Sequence, residues 1–153
     1  MTAAELNAII VRAKAASYVG GGDRTRPSRP GSNDLSWSGG EWRYFDSYFG
    51  GTDFLGQEVL WRGFEPVWAM NYYGQVLRPD LIDAERAGAT IKAALACMYG
   101  EGRFLGGFDW SGPHGRYIDT SKGNVASFRG REVIEVDGVE AYALDYFGGL
   151  VKP

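Results

Sequence analysis

Cysteine and histidine are nearly absent from this sequence, which contains one residue of each among 153. The single cysteine, Cys97, excludes an internal disulfide, and a lone thiol fits a reducing compartment such as the cytoplasm. The only histidine, His114, lies in the turn-like segment SGPHGRY without histidine or cysteine neighbours. A structural zinc site therefore has too few ligands, and we expect neither a metal nor another cofactor.

Long apolar runs and a surplus of basic residues are also missing. No stretch of about 18 apolar residues could span a bilayer, and the N-terminal segment MTAAELNAIIVRAKAASYVG lacks the cationic start and continuous apolar core of a signal peptide. The formal charge is −3 and the isoelectric point is near 5.2, whereas nucleic-acid binding uses a basic surface. We therefore expect a cytoplasmic protein with no membrane partner and no direct nucleic-acid partner.

Sequence motifs of the common catalytic classes are missing as well. There is no GxSxG segment, and the glycines of GGGDRTRPSRPGSNDL do not have the P-loop spacing. The segment GEGRFLGG at 100–107 lacks the strand and helix context of a dinucleotide-binding loop. No reaction type and no catalytic residue therefore follow from a motif.

The residues that are present favour one folded domain over 1–153. Hydrophobic residues make up 44% of the chain and aromatic residues 14%, which is typical of globular proteins. The length is sufficient to bury one core.

The chain contains an internal repeat. Residues 54–77 align without a gap on residues 128–151 with seven identities, where composition alone gives about two. The identical pairs are Phe54/Phe128, Gly56/Gly130, Glu58/Glu132, Val59/Val133, Ala69/Ala143, Tyr72/Tyr146 and Gly74/Gly148. Upstream, RYFDS at 43–47 matches RYIDT at 116–120. We therefore divide the domain into pseudo-repeats over 1–78 and 79–153.

Each pseudo-repeat combines a helix with strands. Thr2 and Glu5 fit a capping box ahead of an apolar stripe, and Asp80 is the expected N-cap of a second helix. Aromatic and β-branched runs broken by glycine pairs follow both helices, and VDGV at 136–139 is a two-residue hairpin signal. We predict an α+β fold, a tandem duplication of a helix-plus-three-strand unit, with one antiparallel sheet and both helices on one face. A cleft where the copies meet is the expected ligand site.

The acidic residues of the second repeat are site candidates. If Asp137 and Gly138 form the turn, an unbroken register places Glu132 opposite Ala143 and diagonal to Asp145. Paired carboxylates can share a proton, bind a cation or accept hydrogen bonds from a ligand, and burial raises the pKa of at least one of them.

The first repeat follows the same pattern. The unbroken register places Glu58 opposite Ala69 and diagonal to Asn71. It turns the large residues of the neighbouring strands to the opposite face, beneath the helices; these are Trp68, Met70, Tyr72, Tyr142, Leu144 and Tyr146. Alternatively, Glu58 and Glu132 have a structural role and bond backbone amides or arginines such as Arg43 and Arg116.

An arginine-rich loop is a further candidate. Arg29, Ser32 and Asp34 lie among prolines and glycines. Arginines held in this way can bind phosphate or carboxylate through forked hydrogen bonds, although a solvated linker fits the composition equally well.

The aromatic ribbon at residues 37–49 is the last candidate. Trp42, Tyr44 and Asp46 share one parity along an extended strand, so rings and a carboxylate could line one side of a ligand. Ordinary packing of the rings within a sheet is the alternative interpretation.

Several short motifs occur together in the order known from one family. They are Arg29-Pro30-Gly31-Ser32, Asp34-Leu35, YFDSYFGG, FLGQEVLW, PVWAMNYYG and the closing YFGGLVK. With these motifs the chain resembles the bacterial domain-of-unknown-function family 5680 over nearly its whole length. Members look like free-standing small proteins or C-terminal domains behind a helix-turn-helix regulator, which implies effector binding or sensing but no established activity. The matching residues are Arg29, Ser32, Asp34, Asp46, Glu58, Trp61, Trp68, Asn71 and Tyr72.

These observations predict a domain that binds a small aromatic or cationic molecule. A small hydrolase or isomerase with a carboxylate general base is one alternative, a protein-interaction module is another, and both a monomer and a homodimer remain open. The predicted ligand-binding residues are Arg29, Ser32, Asp34, Trp42, Tyr44, Asp46, Glu58, Trp61, Trp68, Asn71, Tyr72, Glu132 and Asp145.

Overall fold

The computed structural model of the chain describes the backbone of residues 1–153 and every side chain except that of Asp23. The helical elements are α1 (Ala3–Lys14), a π-helical turn that continues it (Ala15–Val19) and α2 (Ala84–Gly100). The strands are β1 (Asp23–Arg24), β2 (Asn33–Gly39), β3 (Trp42–Gly50), β4 (Phe54–Arg62), β5 (Glu65–Val76), β6 (Phe108–Gly112), β7 (Gly115–Asn124), β8 (Ser127–Val136) and β9 (Val139–Leu150). Within the described part of the chain, no helix is long and apolar enough to cross a membrane.

The strands form one antiparallel sheet in the order β1-β2-β3-β4-β5-β9-β8-β7-β6. The predicted combination of an antiparallel sheet with two helices is confirmed. The number of strands is larger than predicted, because β2–β5 follow α1 and β6–β9 follow α2, with the short β1 at one edge. The three strands that sequence reasoning missed are the two-residue β1, and β2 and β6, whose sequences NDLSWSG and FDWSG are rich in residues typical of turns.

The two central strands, β5 and β9, pair symmetrically. Tyr72 lies opposite Tyr146, and these two tyrosines are equivalent in the sequence alignment of the repeats. The hairpin β4–β5 lies on one side of this pair and the hairpin β8–β9 on the other. The pairing pattern therefore has a local twofold relation centred between the two tyrosines.

A β-bulge interrupts each of these two hairpins at an equivalent position. In the second hairpin, the predicted turn is confirmed: Val136 pairs with Val139, and Asp137 and Gly138 have φ values of 51° and 77°, as a type I′ turn requires. The pairing then shifts between Ile134 and Glu135. In the first hairpin it shifts between Leu60 and Trp61. A shift of one residue turns the remainder of a strand to the other face of the sheet.

The bulges overturn the predicted surroundings of the two glutamates. Glu132 lies opposite Leu144 rather than Ala143, and Glu58 lies opposite Met70 rather than Ala69. The predicted closeness of Glu132 to Asp145, and of Glu58 to Asn71, is therefore wrong. Both glutamates share their face of the sheet with the large residues that were expected on the opposite face, namely Trp68, Met70, Tyr72, Tyr142, Leu144 and Tyr146.

Both helices cover this same face. α1 begins at the predicted capping box, where the Thr2 hydroxyl accepts a hydrogen bond from the Glu5 amide and the Glu5 carboxylate accepts one from the Thr2 amide. The N-cap of α2 is Asp83 rather than Asp80, because residues 78–82 form a turn that buries Ile82 before the helix begins. The largest fully buried side chains between the layers are Trp68, Tyr117, Tyr142, Ile10, Leu60, Ile82, Met98 and Ile134.

Candidate functional site

A cavity of about 660 Å³ lies between the helix-covered face of the sheet and the helical layer. This volume is within the range of roughly 300–1,000 Å³ that is usual for small-molecule pockets. Buried residues of β3, β4 and β5 form its floor. The opposite wall consists of residues from α1, the π-helical turn and α2. Exposed residues of the β3–β4 turn, 50–52, and of the start of α2, 84–85, lie at its mouth.

One group of polar residues at the floor consists of Asp46, Glu58 and Tyr72, which we call the first acidic set. Asp46 and Glu58 are directly paired across β3 and β4. The Tyr72 hydroxyl donates a hydrogen bond to Asp46 Oδ1 at 2.5 Å. All three side chains are buried and line the cavity.

Glycine makes this arrangement of the tyrosine feasible. Gly56 lies opposite Tyr72 in the ladder, between Tyr72 and the strand that carries Asp46. A Cβ atom at position 56 would overlap the Tyr72 hydroxyl and ring. The tyrosine therefore extends across a strand that has no side chain at this point, and its hydroxyl reaches the carboxylate beyond.

Lys14 is a cation on the otherwise apolar face of α1. It follows Ile10 by four residues and so belongs to the buried stripe of the helix. Its Nζ lies 2.5 Å from Glu58 Oε2 and 3.3 Å from the sulfur of Met70, and the side chain is only 6% exposed. Glu58 is therefore held as one partner of a buried ion pair.

The arginines that were expected to pair with the glutamates lie elsewhere. The Arg43 guanidinium stacks on the ring of Phe64. Arg116 forms salt bridges with Asp109 and Glu135 on the other face of the sheet. The predicted structural role of an ion pair at Glu58 is supported, but its partner comes from a helix.

An equivalent group in the second series consists of Asp119, Glu132 and Tyr146, which we call the second acidic set. Asp119 and Glu132 are paired across β7 and β8. The Tyr146 hydroxyl donates to Asp119 Oδ1 at 2.7 Å and extends across Gly130 as Tyr72 does across Gly56. Among the described side chains, neither carboxylate of this set forms a salt bridge. Glu132 contributes to the cavity.

Burial of these carboxylates changes their acidity. Burial, together with the negative charge of Glu58, raises the pKa of Asp46 to about 7, against the effect of the Tyr72 hydrogen bond. Burial and the charge of Asp119 raise the pKa of Glu132 to about 8. Burial raises the pKa of Asp119 itself to about 6. Near neutral pH, the cavity therefore offers carboxyl groups that can donate as well as accept a hydrogen bond.

Aromatic side chains form much of the cavity wall. They come from the π-helical turn, β3, β4, α2 and β9, and are Tyr18, Tyr48, Phe54, Tyr99 and Tyr142. The Phe54 ring stacks on Tyr142 with a centroid separation of 6.5 Å. The Tyr142 hydroxyl is buried and has no hydrogen-bond partner among the described residues. The wall therefore offers flat, largely apolar surfaces to the cavity.

Five of the predicted ligand-binding residues line this cavity: Tyr44, Asp46, Glu58, Tyr72 and Glu132. Trp68 lies on the same face of the sheet, but its indole N–H donates to the Val125 carbonyl at 3.2 Å. Trp42 shares a face with Tyr44 as predicted, yet it packs near the β2–β3 turn and stacks with Arg62. Trp61, Asn71 and Asp145 are on the opposite face of the sheet.

The arginine-rich loop forms a separate network on the opposite face. The Ser47 hydroxyl donates to Asp34 Oδ1 at 2.6 Å and accepts a hydrogen bond from Arg29 at 2.7 Å. The second oxygen of Asp34 accepts from the Ser28 amide, and Ser32 bonds the backbone of Arg29. Arg29, Ser32 and Asp34 therefore fasten the loop to β3 and are not brought to the cavity.

Several cavity residues were missed by sequence reasoning. Lys14 interrupts the apolar stripe of α1, which was a detectable signal. Asp119 occupies in RYIDT the place that Asp46 occupies in RYFDS, so the repeat itself pointed to it. Tyr18 and Tyr99 had no such signal, because their helical spacing is equally typical of core residues.

Within the described residues, no group of three or more histidine, cysteine or acidic side chains has the geometry to hold a metal ion. No curated protein and no solved structure matches the chain. The family described as a domain of unknown function, DUF5680, matches residues 46–151. This range includes both acidic sets and most of the sheet that carries them. The chain belongs to the DUF5680 family.

Proposed function

We propose that the chain is a small-molecule-binding domain whose ligand occupies the cavity above the first acidic set. The observation that carries this proposal is the combination, in one cavity of about 660 Å³, of aromatic walls with a floor of buried carboxyl groups. Apolar surface supplies binding free energy and a few placed polar groups fix orientation, which is the usual composition of a ligand site.

The form of the cavity favours a molecule with a flat apolar body and a polar end. The body would pack against the rings of Tyr48, Phe54 and Tyr99. The polar end would reach Asp46, whose raised pKa of about 7 allows donation as well as acceptance near neutral pH. Such a domain would serve as an effector-binding unit.

A substitution at Gly88 tests this proposal. Gly88 lies in the interior of α2 and lines the cavity, and a Cβ atom there would meet no neighbouring atom. Gly88→Leu should fill the cavity while improving helix propensity, since glycine costs about 0.8–1 kcal/mol relative to alanine in a helix. Gly88→Ala is the matched control, because it improves the helix in the same way but adds one carbon.

The measurement is native mass spectrometry of protein purified gently from the cytoplasm, compared with the denatured mass. We expect a small-molecule adduct on the original chain and on Gly88→Ala, and none on Gly88→Leu, with neither variant less stable. An adduct that persists in Gly88→Leu would place the ligand elsewhere, and the absence of any adduct would count against a tightly bound ligand.

A second candidate is catalysis with Asp46 as general base. A pKa of about 7 suits proton transfer near neutral pH, and the Tyr72 hydroxyl is already hydrogen-bonded to this carboxylate. The eluted molecule, incubated with a catalytic amount of protein, distinguishes the two candidates. Conversion to a product that stops in Asp46→Asn would favour the enzyme, and an unchanged molecule would favour binding alone.

The symmetry of the sheet supports an origin by tandem duplication. The two bulges, the two glycines beneath the tyrosines and the two tyrosine–aspartate hydrogen bonds occur in both series. A cytoplasmic location is also part of the proposal, because the single thiol of Cys97 fits a reducing compartment. A ligand site in only one of two duplicated units would then have arisen through later divergence.

A further inference from the structure

The acidic groups of the cavity outnumber its buried cations. Asp46, Glu58 and Glu132 all line the cavity, and Lys14 is the only buried cation among the described lining residues. Its ammonium group is already 2.5 Å from Glu58. Lys92 lies at the exposed side of α2, where it stacks on Tyr18. Asp46, which is buried, and Glu132, which is half-buried, therefore form no salt bridge among the described residues.

The surrounding rings are suited to a positive charge. A cation is attracted to the face of an aromatic ring, and cages of rings with a nearby carboxylate recognise ammonium groups. Tyr18, Tyr48, Phe54 and Tyr99 line the cavity around the acidic floor. An anionic ligand, by contrast, would be repelled by the same carboxyls once they are ionised, so its affinity should fall as the pH rises.

An independent observation also indicates a missing ligand atom. Asp46 lines the cavity and is only 4% exposed, yet among the described residues only its Oδ1 accepts a hydrogen bond, from the Tyr72 hydroxyl. A buried carboxyl oxygen without a partner costs free energy. An N–H group of a ligand would provide the hydrogen bond that Oδ2 lacks.

We propose that the ligand is an organic ammonium ion, an amine with an apolar, ring-sized body, whose cationic group binds at the carboxyl of Asp46. This inference rests on the proposed ligand-binding function and specifies the chemical class of the ligand. The ammonium group takes the position of the missing counter-charge, and the rings contact the apolar body.

Binding of this kind releases protons. In the free protein, burial raises the pKa of Asp46 to about 7 and that of Glu132 to about 8. A cation next to Asp46 favours the ionised form of this carboxyl and so lowers its pKa, and its charge acts in the same direction on Glu132 across the cavity. The affinity for an amine should therefore rise with pH through this range.

The other titratable or charged groups that face the two carboxyls are Lys14, Tyr18, Tyr44, Tyr48, Glu58, Tyr72, Lys92, Tyr99, Tyr117, Asp119, Tyr142 and Tyr146.

Three matched probes test the proposal on the full chain: 2-phenylethylamine, 2-phenylethanol and phenylacetate. They share one ring and differ in charge. Isothermal titration calorimetry between pH 6 and pH 8 should show the amine binding about tenfold more tightly than the alcohol at pH 8, which corresponds to about 1.4 kcal/mol. The amine affinity should fall toward pH 6, and buffers of different ionisation enthalpy should report proton release for the amine alone.

Substitutions of the two carboxyl groups test whether they cause the preference for the amine. Glu132→Gln and Asp46→Asn should each reduce the preference for the amine and its pH dependence, and circular dichroism checks that they are folded. Glu65→Gln, an exposed glutamate at the start of β5, is the matched control and should behave as the original chain. If one variant is unfolded, the other still tests the assignment.

Equal affinity for amine and alcohol, tighter binding of phenylacetate, a pH-independent amine affinity, or no amine binding at millimolar concentration would each overturn the ammonium assignment. The proposed function is judged separately by the adduct and the Gly88 variants. A neutral or anionic adduct would leave ligand binding in place and remove only the inference about charge.

Discussion

The two acidic sets of this protein have the same local construction and different surroundings. In each, an aspartate pairs with a glutamate on the next strand, and a tyrosine crosses a glycine to reach the aspartate. The first set receives the ammonium of Lys14 and faces the cavity. The second receives no salt bridge among the described residues. The sheet therefore sets the same side-chain geometry in both sets, and the helix packed on it determines which set has a positive partner.

Aromatic rings pack against the second set, where the Phe128 ring lies 6.1 Å from that of Tyr146. Phe104, from the segment between α2 and β6, lies edge-to-face against Trp68 and Phe128, at centroid distances of 5.7 and 5.5 Å. The Tyr117 hydroxyl and Asp119 Oδ2 are buried without hydrogen-bond partners among the described residues. Of the second set, only Glu132 lines the cavity, whereas all three residues of the first set line it.

Removal of Lys14 should have the largest effect on this comparison. Lys14→Met leaves the Glu58 carboxylate buried without its cation, which should lower the free energy of unfolding by about 3–5 kcal/mol. The double variant Lys14→Met with Glu58→Gln should recover much of this loss, because neither position of the former ion pair then carries a charge. Glu132→Gln in the second set should cost far less, since it separates no ion pair. Urea unfolding at pH 7 measures all three.

The exposed Lys92→Met is the control for loss of a lysine. If Lys14→Met were no more destabilising than Lys92→Met, the ion pair would not distinguish the two sets energetically.

The glycines beneath the tyrosines should give the next largest effect. Gly56→Ala and Gly130→Ala each place a Cβ atom into a tyrosine ring, and overpacking of this kind costs about 1–3 kcal/mol. The loss should be larger for Gly130→Ala, because Tyr146 does not line the cavity, whereas Tyr72 lines it and can move toward it. Thermal unfolding compares the two losses. Gly88→Ala is the control, because a Cβ atom at position 88 meets no neighbouring atom. Equal losses would indicate that the cavity gives Tyr72 no additional freedom.

The smallest effect should be a change in how stability depends on pH. The pKa values of Asp46, Asp119 and Glu132 are raised by burial to about 7, 6 and 8 from ordinary values of 3.8, 3.8 and 4.5. The folded chain thus binds more protons than the unfolded chain in this range, so stability should fall as pH rises from about 4 to about 8. Glu132→Gln should flatten the upper part of this decline in urea titrations, and Glu65→Gln should leave it unchanged. An unaltered slope in Glu132→Gln would mean that Glu132 titrates normally.

Sequence reasoning identified the repetition of local elements and missed the shift in strand register. The capping box at Thr2, the turn at Asp137 and Gly138 and the glutamates at equivalent positions were all readable from short segments. The bulge after Ile134 was not, because a bulge adds one residue without a distinctive sequence signal, and every residue beyond it changes face. For this reason Glu132 was expected next to Asp145 and lies instead next to Asp119.

The sequence by itself determined the α+β composition, the two helices and the equivalence of Glu58 with Glu132, since these depend on local spacing and on comparison of the chain with itself. Only the tertiary structure decided that Lys14 neutralises one glutamate and not the other. That outcome depends on which helix side chain lies above which strand, and contacts between residues 44 positions apart are set by the packing of layers rather than by local spacing.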